Sequence, residues 1–252
     1  MERNAQQIII KKKLRLLFKT RRQDFLIHNK SLLTDDFYVK NYCHQIERLI
    51  KNIISQKQVR FSQDVQVATN KSLINNRIVI GGYWPLAMEL NLVPILRYFN
   101  DKLFNICLPI VVAPGQPLIF RKWSPGDQLI QQGKLKVFEP KDDQELLIPD
   151  VLLVPLVAFN NKCHRLGYGG GFYDRTIHKL RITEKREILK IGMAFEAQKI
   201  QIDNSFTDEE KALLSEFQTE ETDEQLDYIL TETQLYSNKN IKSIEDSEYL
   251  SF

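Results

Sequence analysis

Cysteine is scarce in this 252-residue chain: Cys43, Cys107 and Cys163 make an odd number at spacings that suggest no disulfide framework. A reducing compartment follows, with the cytoplasm as the expected location. No C-x-x-C pair occurs. The dipeptides Cys43-His44 and Cys163-His164 point adjacent side chains in different directions, so a zinc site is not expected. Uninterrupted apolar runs are missing too. Residues 103–120 form one uncharged stretch of membrane length, but Pro109, Pro114, Gly115 and Pro117 break it, which suits two strands and a turn. The N-terminus carries charge with no apolar core and cleavage site behind it, which argues against a secretory leader. Net charge is only +3, and 43% hydrophobic residues suffice for a large core, so disorder of the whole chain is excluded.

The small net charge hides an uneven distribution. Residues 1–60 carry fourteen Lys or Arg against five acids, whereas residues 201–252 carry three against fourteen. Such asymmetry fits a nucleic-acid arm at one end or, more commonly, two solvated faces. From Ile8 to Arg22 an amphipathic helix is expected, with Ile10, Leu14, Leu17 and Phe18 on one side and Lys11, Lys12, Lys13, Arg15, Lys19, Arg21 and Arg22 elsewhere. A second helix is expected from about Asp35 to Gln56, capped by Thr34, with Tyr42, Ile46, Leu49, Ile50 and Ile53 as its buried stripe.

Glycine is sparse as well, ten in all, yet four of them stand within five residues in Arg165-Leu-Gly-Tyr-Gly-Gly-Gly-Phe-Tyr-Asp174-Arg175. The run before it, 151–159, is short, continuous and β-rich, as a strand buried on both faces should be. After it, Phe172, Thr176, Ile177 and Leu180 fall at helical spacing. Strand, glycine loop and helix start together make a place where backbone N–H groups and a helix terminus can face an anion. Neither the dinucleotide loop nor the Walker loop fits, since Phe172 stands where the former needs glycine and no Gly-Lys-Ser/Thr follows. A plain glycine turn would explain the loop but not its neighbours, Arg165 before it and Tyr173-Asp174-Arg175 after it. A carboxylate beside a phosphate cradle suits a divalent cation between them.

This stretch closely resembles the signature of the 5-formyltetrahydrofolate cyclo-ligases. The resemblance covers roughly residues 8–202 and 217–231. It implies ATP-dependent ring closure of 5-formyltetrahydrofolate to 5,10-methenyltetrahydrofolate through a phosphorylated formyl group, with release of ADP and phosphate. Cyclo-ligases carry a Lys-x-x-x-Arg pair near the N-terminus that contacts nucleotide phosphates, and Lys11 and Arg15 match it. The resemblance further implies Lys11, Arg165 and Tyr173 as catalytic residues. Arg15, Gly167, Tyr168, Gly169, Gly170, Gly171 and Phe172 would join them around ATP. Trp84 and Glu89 would line the folate pocket with Tyr168 and Phe172, and Asp174 and Asp227 would flank Mg²⁺. Three departures stand out: Asn91 where relatives often have Asp, Thr222 in place of a histidine and Gln218 in place of a proline.

Strands expected near 78, 106, 118, 151 and 190, alternating in part with helices, argue for a three-layer α/β sandwich with a largely parallel sheet. By resemblance this is similar to the fold of sugar-phosphate isomerases and CoA transferases. One domain is expected over residues 1–236, with an acidic insertion near 203–215 and a flexible tail at 237–252. The expected partner is a small molecule, a reduced folate with or without a polyglutamate chain, bound by a monomer that uses neither nucleic acid nor membrane. A phosphosugar isomerase or CoA transferase would lack any ATP requirement, and a nucleic-acid binder would use the basic N-terminus with steep salt dependence.

Overall fold

The computed structural model describes residues 2–30, 36–61, 78–132 and 137–238. Helices α1 (Glu2–His28) and α2 (Asp36–Phe61) open the chain. Strand β1 (Val79–Gly81), helix α3 (Val93–Asp101) and strands β2 (Asn105–Ile110) and β3 (Ile119–Lys122) follow. A hairpin of β4 (Leu129–Gln132) and β5 (Val137–Pro140) precedes β6 (Val151–Pro155). Then come β7 (Ala158–Phe159), β8 (Arg165–Leu166), α4 (Phe172–Ile182), β9 (Leu189–Met193), α5 (Asp208–Ser215), β10 (Tyr228–Leu230) and β11 (Leu235–Ser237).

Seven strands form one sheet in the order β11-β10-β9-β6-β1-β2-β3; its five inner strands are parallel and both edge strands antiparallel. Period-two alternation divides the core between the two faces. On one face Ile80, Ile106, Leu108, Leu153 and Ile191 pack against Tyr42, Ile46, Leu49 and Ile50 of α2 and Leu96 and Phe99 of α3. On the other, Val79, Cys107, Leu152, Val154 and Ile229 pack against Ile177 of α4. This is the three-layer, largely parallel architecture that the sequence leads one to expect. Pro94 sits in the first turn of α3, where a missing N–H costs nothing.

Helix α1 packs Phe25 and Leu26 against the first of these clusters, and its earlier turns build a third. Its buried Ile10, Leu14 and Phe18 meet Val157, Ala158, Leu166, Phe206 and Leu214. Full burial of Leu14 and Phe18 contributes about 2–3 kcal/mol each. The acidic stretch after residue 203 is therefore a packing element. Its helix α5 is capped by Thr207, whose side chain accepts from the Glu210 N–H, and it closes the outer side of α1.

Four sequence expectations change. Helix α1 extends past both expected ends. Residues 136–150 contain a strand, β5, which pairs with β4 in a hairpin that the sequence did not announce. The run 151–159 is two strands, because the backbone turns at Leu156-Val157, where Gln198 Nε2 donates to both carbonyls and Arg22 Nη1 donates to that of Leu156. Strand β11 runs past residue 236, and the Asn238 N–H donates to the Asp227 carbonyl; residues 239–252 lie outside the described ones. Thr34 and the Ile53 side chain also lie outside them.

Candidate active site

Strand β1 leads through α3 to β2 on one side, whereas β6 leads through α4 to β9 on the other. Adjacent parallel strands whose connections diverge leave a crevice beyond their carboxyl ends. Residues 83–89 enter it after β1. The glycine loop enters it after β6 by way of β7 and β8, the Val157 N–H being bonded to the Leu166 carbonyl.

The loop is shaped for close approach. Gly169 has φ +100° and would set a Cβ 3.2 Å from Arg15 Cζ, so only glycine lets that guanidinium lie on the backbone. Gly171, at φ +62°, is the N-cap of α4 and supplies no side-chain cap, which leaves the first N–H groups of the helix facing outward with the positive end of its dipole. Arg15 Nε donates to the Gly167 carbonyl at 2.8 Å. Burial lowers the pKa of its guanidinium, and the charges of Asp223 and Glu220 work against that shift.

Helix α1 runs along the crevice as a row of cations. Lys11 Nζ lies 3.0 Å from Glu220 Oε1 and 3.0 Å from Asp223 Oδ2, with its side chain only 9% exposed. One helical turn on, Arg15 meets the loop; another turn on, Lys19 Nζ stands 5.3 Å from the Tyr168 ring centroid. Arg22 Nη1 then donates to the Tyr168 hydroxyl at 3.2 Å. Burial and the nearby Glu89 charge raise the Tyr168 pKa, and Leu86 N–H donates to Glu89 Oε2 at 2.7 Å. Met88, beside Glu89, holds a left-handed φ of +69°, a strained turn of the kind found where a side chain must be aimed. Burial raises the Glu89 pKa, while Tyr168, Leu86, Arg22 and Lys19 restrain the rise.

Arg165 and Asp174 form the floor. Arg165 Nη2 lies 2.6 Å from Asp174 Oδ1, which also accepts from the Glu224 N–H, while Arg165 Nη1 donates to the Glu224 carbonyl. The Glu224 carboxylate in turn holds Arg181 at 2.7 Å and His178 at 3.3 Å. Tyr173 presents a buried hydroxyl with no partner among the described residues, and its pKa is raised by burial and by the Glu89 charge. Trp84 packs edge-on to Trp123 and tilted to Phe138, with centroids 6.1 and 6.0 Å away. Phe172 lies beneath the Arg175 guanidinium, 5.3 Å from its centre, and Gly170 accepts from Arg175 Nη2.

Lys11, Arg15, Arg165, the loop, Tyr173, Asp174 and Glu89 thus fall in one region, linked by the contacts of α1 and of residues 223–224. Among the described residues Asp174 and Asp227 share no partner: Asp227 Oδ2 accepts from the Lys190 N–H at 2.8 Å and Oδ1 pairs with Lys190 Nζ at 3.2 Å. Among the described residues no cluster of three or more His, Cys, Asp or Glu is arranged to hold a metal ion. Sequence reasoning missed Arg22, Lys19, Glu220, Asp223 and Glu224. Positions 11, 15, 19 and 22 share one helical stripe, a signal that was available for the first two. The acids can be assigned only once the segment 216–227 is seen folded over the site.

Fold and site define a doubly wound α/β protein that can take a polyanion on a glycine loop beside a carboxylate and aromatic side chains. Residues 11–232 match the model of the 5-formyltetrahydrofolate cyclo-ligase family, and the chain belongs to that enzyme family. The 5-formyltetrahydrofolate cyclo-ligase of Haemophilus influenzae is 29% identical over 165 residues, covering 62% of this chain and 85% of the relative. That of Escherichia coli K12 is 38% identical over 95 residues, 35% of this chain and 51% of the relative. In fold, the chain is similar to the solution structure of Aquifex aeolicus 5,10-methenyltetrahydrofolate synthetase, with a TM-score of 0.57 at 20% identity over 95% of this chain and 98% of that one. No helix among the described residues is long and apolar enough to cross a membrane.

Proposed function

We propose that the protein converts 5-formyltetrahydrofolate to 5,10-methenyltetrahydrofolate with hydrolysis of ATP to ADP and phosphate. The observation that carries this reading is the single row on α1: Arg15 on the glycine loop and Arg22 on Tyr168, whose pKa the nearby Glu89 charge helps to raise. A phosphate cradle and a recognition carboxylate are held one side chain apart.

The formyl oxygen is a poor leaving group, and ATP supplies the phosphoryl group that makes its departure possible. The residues position and neutralise. The loop N–H groups, the uncapped start of α4, Arg15 and Lys11 bind phosphate oxygens. Lys11 reaches them by giving up part of its contact with Glu220 and Asp223. Glu89 accepts from the N–H edge of the pterin, and Trp84, Tyr168 and Phe172 cover its faces. The buried Tyr173 hydroxyl, unpartnered among the described residues, donates to an oxygen of the ligand.

For Mg²⁺ the residues fit in part. Asp174 Oδ2 accepts no hydrogen bond from the described residues and would hold the ion together with phosphate oxygens. Asp227 does not fit as it stands, because Lys190 already neutralises it.

The test is direct. Protein, 5-formyltetrahydrofolate, ATP and Mg²⁺ are mixed, and the near-ultraviolet absorbance of the methenyl bridge is followed beside a sample without ATP. An ATP-dependent rise supports the reading. Absence of any rise from folded protein refutes it.

A further inference from the structure

The Arg165–Asp174 pair is closed into a ring by a third residue. Asp174 Oδ1 accepts from Arg165 Nη2 at 2.6 Å and from the Glu224 N–H at 3.1 Å, and Arg165 Nη1 donates to the Glu224 carbonyl. Glu224 thus spends both its backbone donor and its backbone acceptor on the pair. It stands in the irregular stretch between α5 and β10, where no helix or strand ladder fixes its peptide groups. Their orientation has to be set by something else.

The Glu224 side chain supplies it. Asp174, His178 and Arg181 fall at i, i+4 and i+7 of α4 and so share one stripe of that helix. Asp174 takes the Glu224 N–H, while Arg181 Nη2 and His178 Nδ1 lie 2.7 and 3.3 Å from Glu224 Oε1. One stripe of α4 therefore grips one residue at both its backbone and its carboxylate. The Arg181 side chain is 55% exposed, and a contact of that kind adds little to stability. What it fixes is geometry. Once the carboxylate is released, the Glu224 peptide is free to turn, and Asp174 loses one of the two donors that occupy Oδ1 and leave Oδ2 for the ligand. The next residue offers a contrast. Gln225 Nε2 donates to the Lys162 carbonyl at 2.6 Å, which ties the same segment to the β7–β8 turn and not to α4.

We propose that Glu224 is a positioning residue for the reaction: held by Arg181 and His178, its carboxylate fixes the peptide that orients Asp174 and Arg165 toward the phosphates and Mg²⁺. The inference rests on the functional reading above and adds a requirement that lies two helical turns beyond Asp174, at Arg181. Outer contacts that orient a metal-binding side chain are worth about 10–100-fold in metal affinity or rate.

The experiment uses the wild type, Glu224→Ala, Glu224→Gln, Arg181→Ala, the double variant Glu224→Ala/Arg181→Ala, and Gln225→Ala. Each is measured for kcat and KM in the methenyl assay, for the calorimetric Kd of Mg²⁺-ATP without folate, and for its urea midpoint. Glu224→Ala and Arg181→Ala should each lower kcat and weaken Mg²⁺-ATP by about tenfold, with KM for the folate within about twofold and the urea midpoint nearly unmoved. The double variant should be no worse than Glu224→Ala alone, because both changes remove one contact. Glu224→Gln keeps an acceptor for Arg181 and should recover most of the rate. A kcat within twofold of the wild type in Glu224→Ala overturns the proposal, as do losses that multiply in the double variant. An equal loss in Gln225→Ala overturns it too, since the effect would then be a general loosening of the segment. The binding readout needs no turnover: a wild type that binds Mg²⁺-ATP but forms no methenyl product refutes the functional reading, and the Kd comparison then decides the positioning by itself. A wild type that binds no Mg²⁺-ATP overturns both.

Discussion

Replacing Lys11 by alanine separates its part in folding from its part in catalysis. Two carboxylates stand 3.0 Å from its ammonium. At an effective dielectric of about 20, each pair represents a gross attraction of roughly 5 kcal/mol before desolvation is subtracted. The Glu220 side chain is 43% exposed, so its net share falls below about 1 kcal/mol, while the better buried Asp223 retains about 1–2 kcal/mol. A total loss near 2 kcal/mol lowers the thermal midpoint of a chain this size by about 4–8 °C and leaves it folded at 25 °C. Turnover should suffer far more, since removing one preorganised cation from a phosphoryl-transfer site costs on the order of 10²–10³ in rate. Calorimetric melting and the methenyl absorbance assay read the two effects from one preparation. Glu220→Gln is the control, expected to change stability by less than about 1 kcal/mol. A folded Lys11→Ala protein with kcat/KM for ATP within tenfold of the wild type would refute the assignment of Lys11 to the phosphates.

Other perturbations probe other parts of the same reasoning. Asp174→Asn keeps an oxygen for Arg165 but loses the ligand charge, so turnover should collapse and the Mg²⁺ needed for half-maximal rate should rise; an unchanged Mg²⁺ titration would remove Asp174 from the metal site. Gly192→Ala puts a Cβ 2.5 Å from Ile229 Cδ1 and 2.8 Å from Leu156 Cδ2 and Leu226 Cδ1, a clash in the sheet that should cost about 2–3 kcal/mol in urea unfolding. Burial raises the Glu89 pKa above its ordinary 4.5, so its favourable contribution is complete below 4.5 and is lost as pH rises through the folded value. The stability gap between wild type and Glu89→Gln should therefore shift in favour of the glutamine as pH rises from 4 to 8, and parallel urea midpoints across that range would contradict it.

How much of this could be read from the residues depends on how local the signal is. The β6 run, the glycine loop and α4 were legible because each is a change of period or composition within a few residues. Lys11 and Arg15 were legible only through resemblance, since a basic helical face looks like any solvated one until its partners appear. The β4–β5 hairpin was hidden: Leu-Ile-Gln-Gln and Val-Phe-Glu-Pro do not alternate cleanly, and Glu139 is buried because its Oε1 accepts the Val111 N–H from a different element. The turn at Leu156-Val157 was equally silent, as the side chains that satisfy its carbonyls come from α1 and from residue 198. Asp227 illustrates the limit most sharply, because its pairing with Lys190 exists only in the parallel register of β9 and β10.

The cations of α1 also set an order of events while the protein is being made. Arg22 waits for a hydroxyl 146 residues downstream, Arg15 for a carbonyl 152 residues downstream, and Lys11 for a carboxylate 212 residues downstream. At 5–20 residues per second, about 10–40 s pass between synthesis of Lys11 and synthesis of Asp223. During that interval the helix offers its apolar stripe and its charges with their final partners still unmade. The partners of Lys11 are made after five of the seven sheet strands, so a nascent chain interrupted before residue 223 holds most of the sheet while Lys11 still lacks its Asp223 contact.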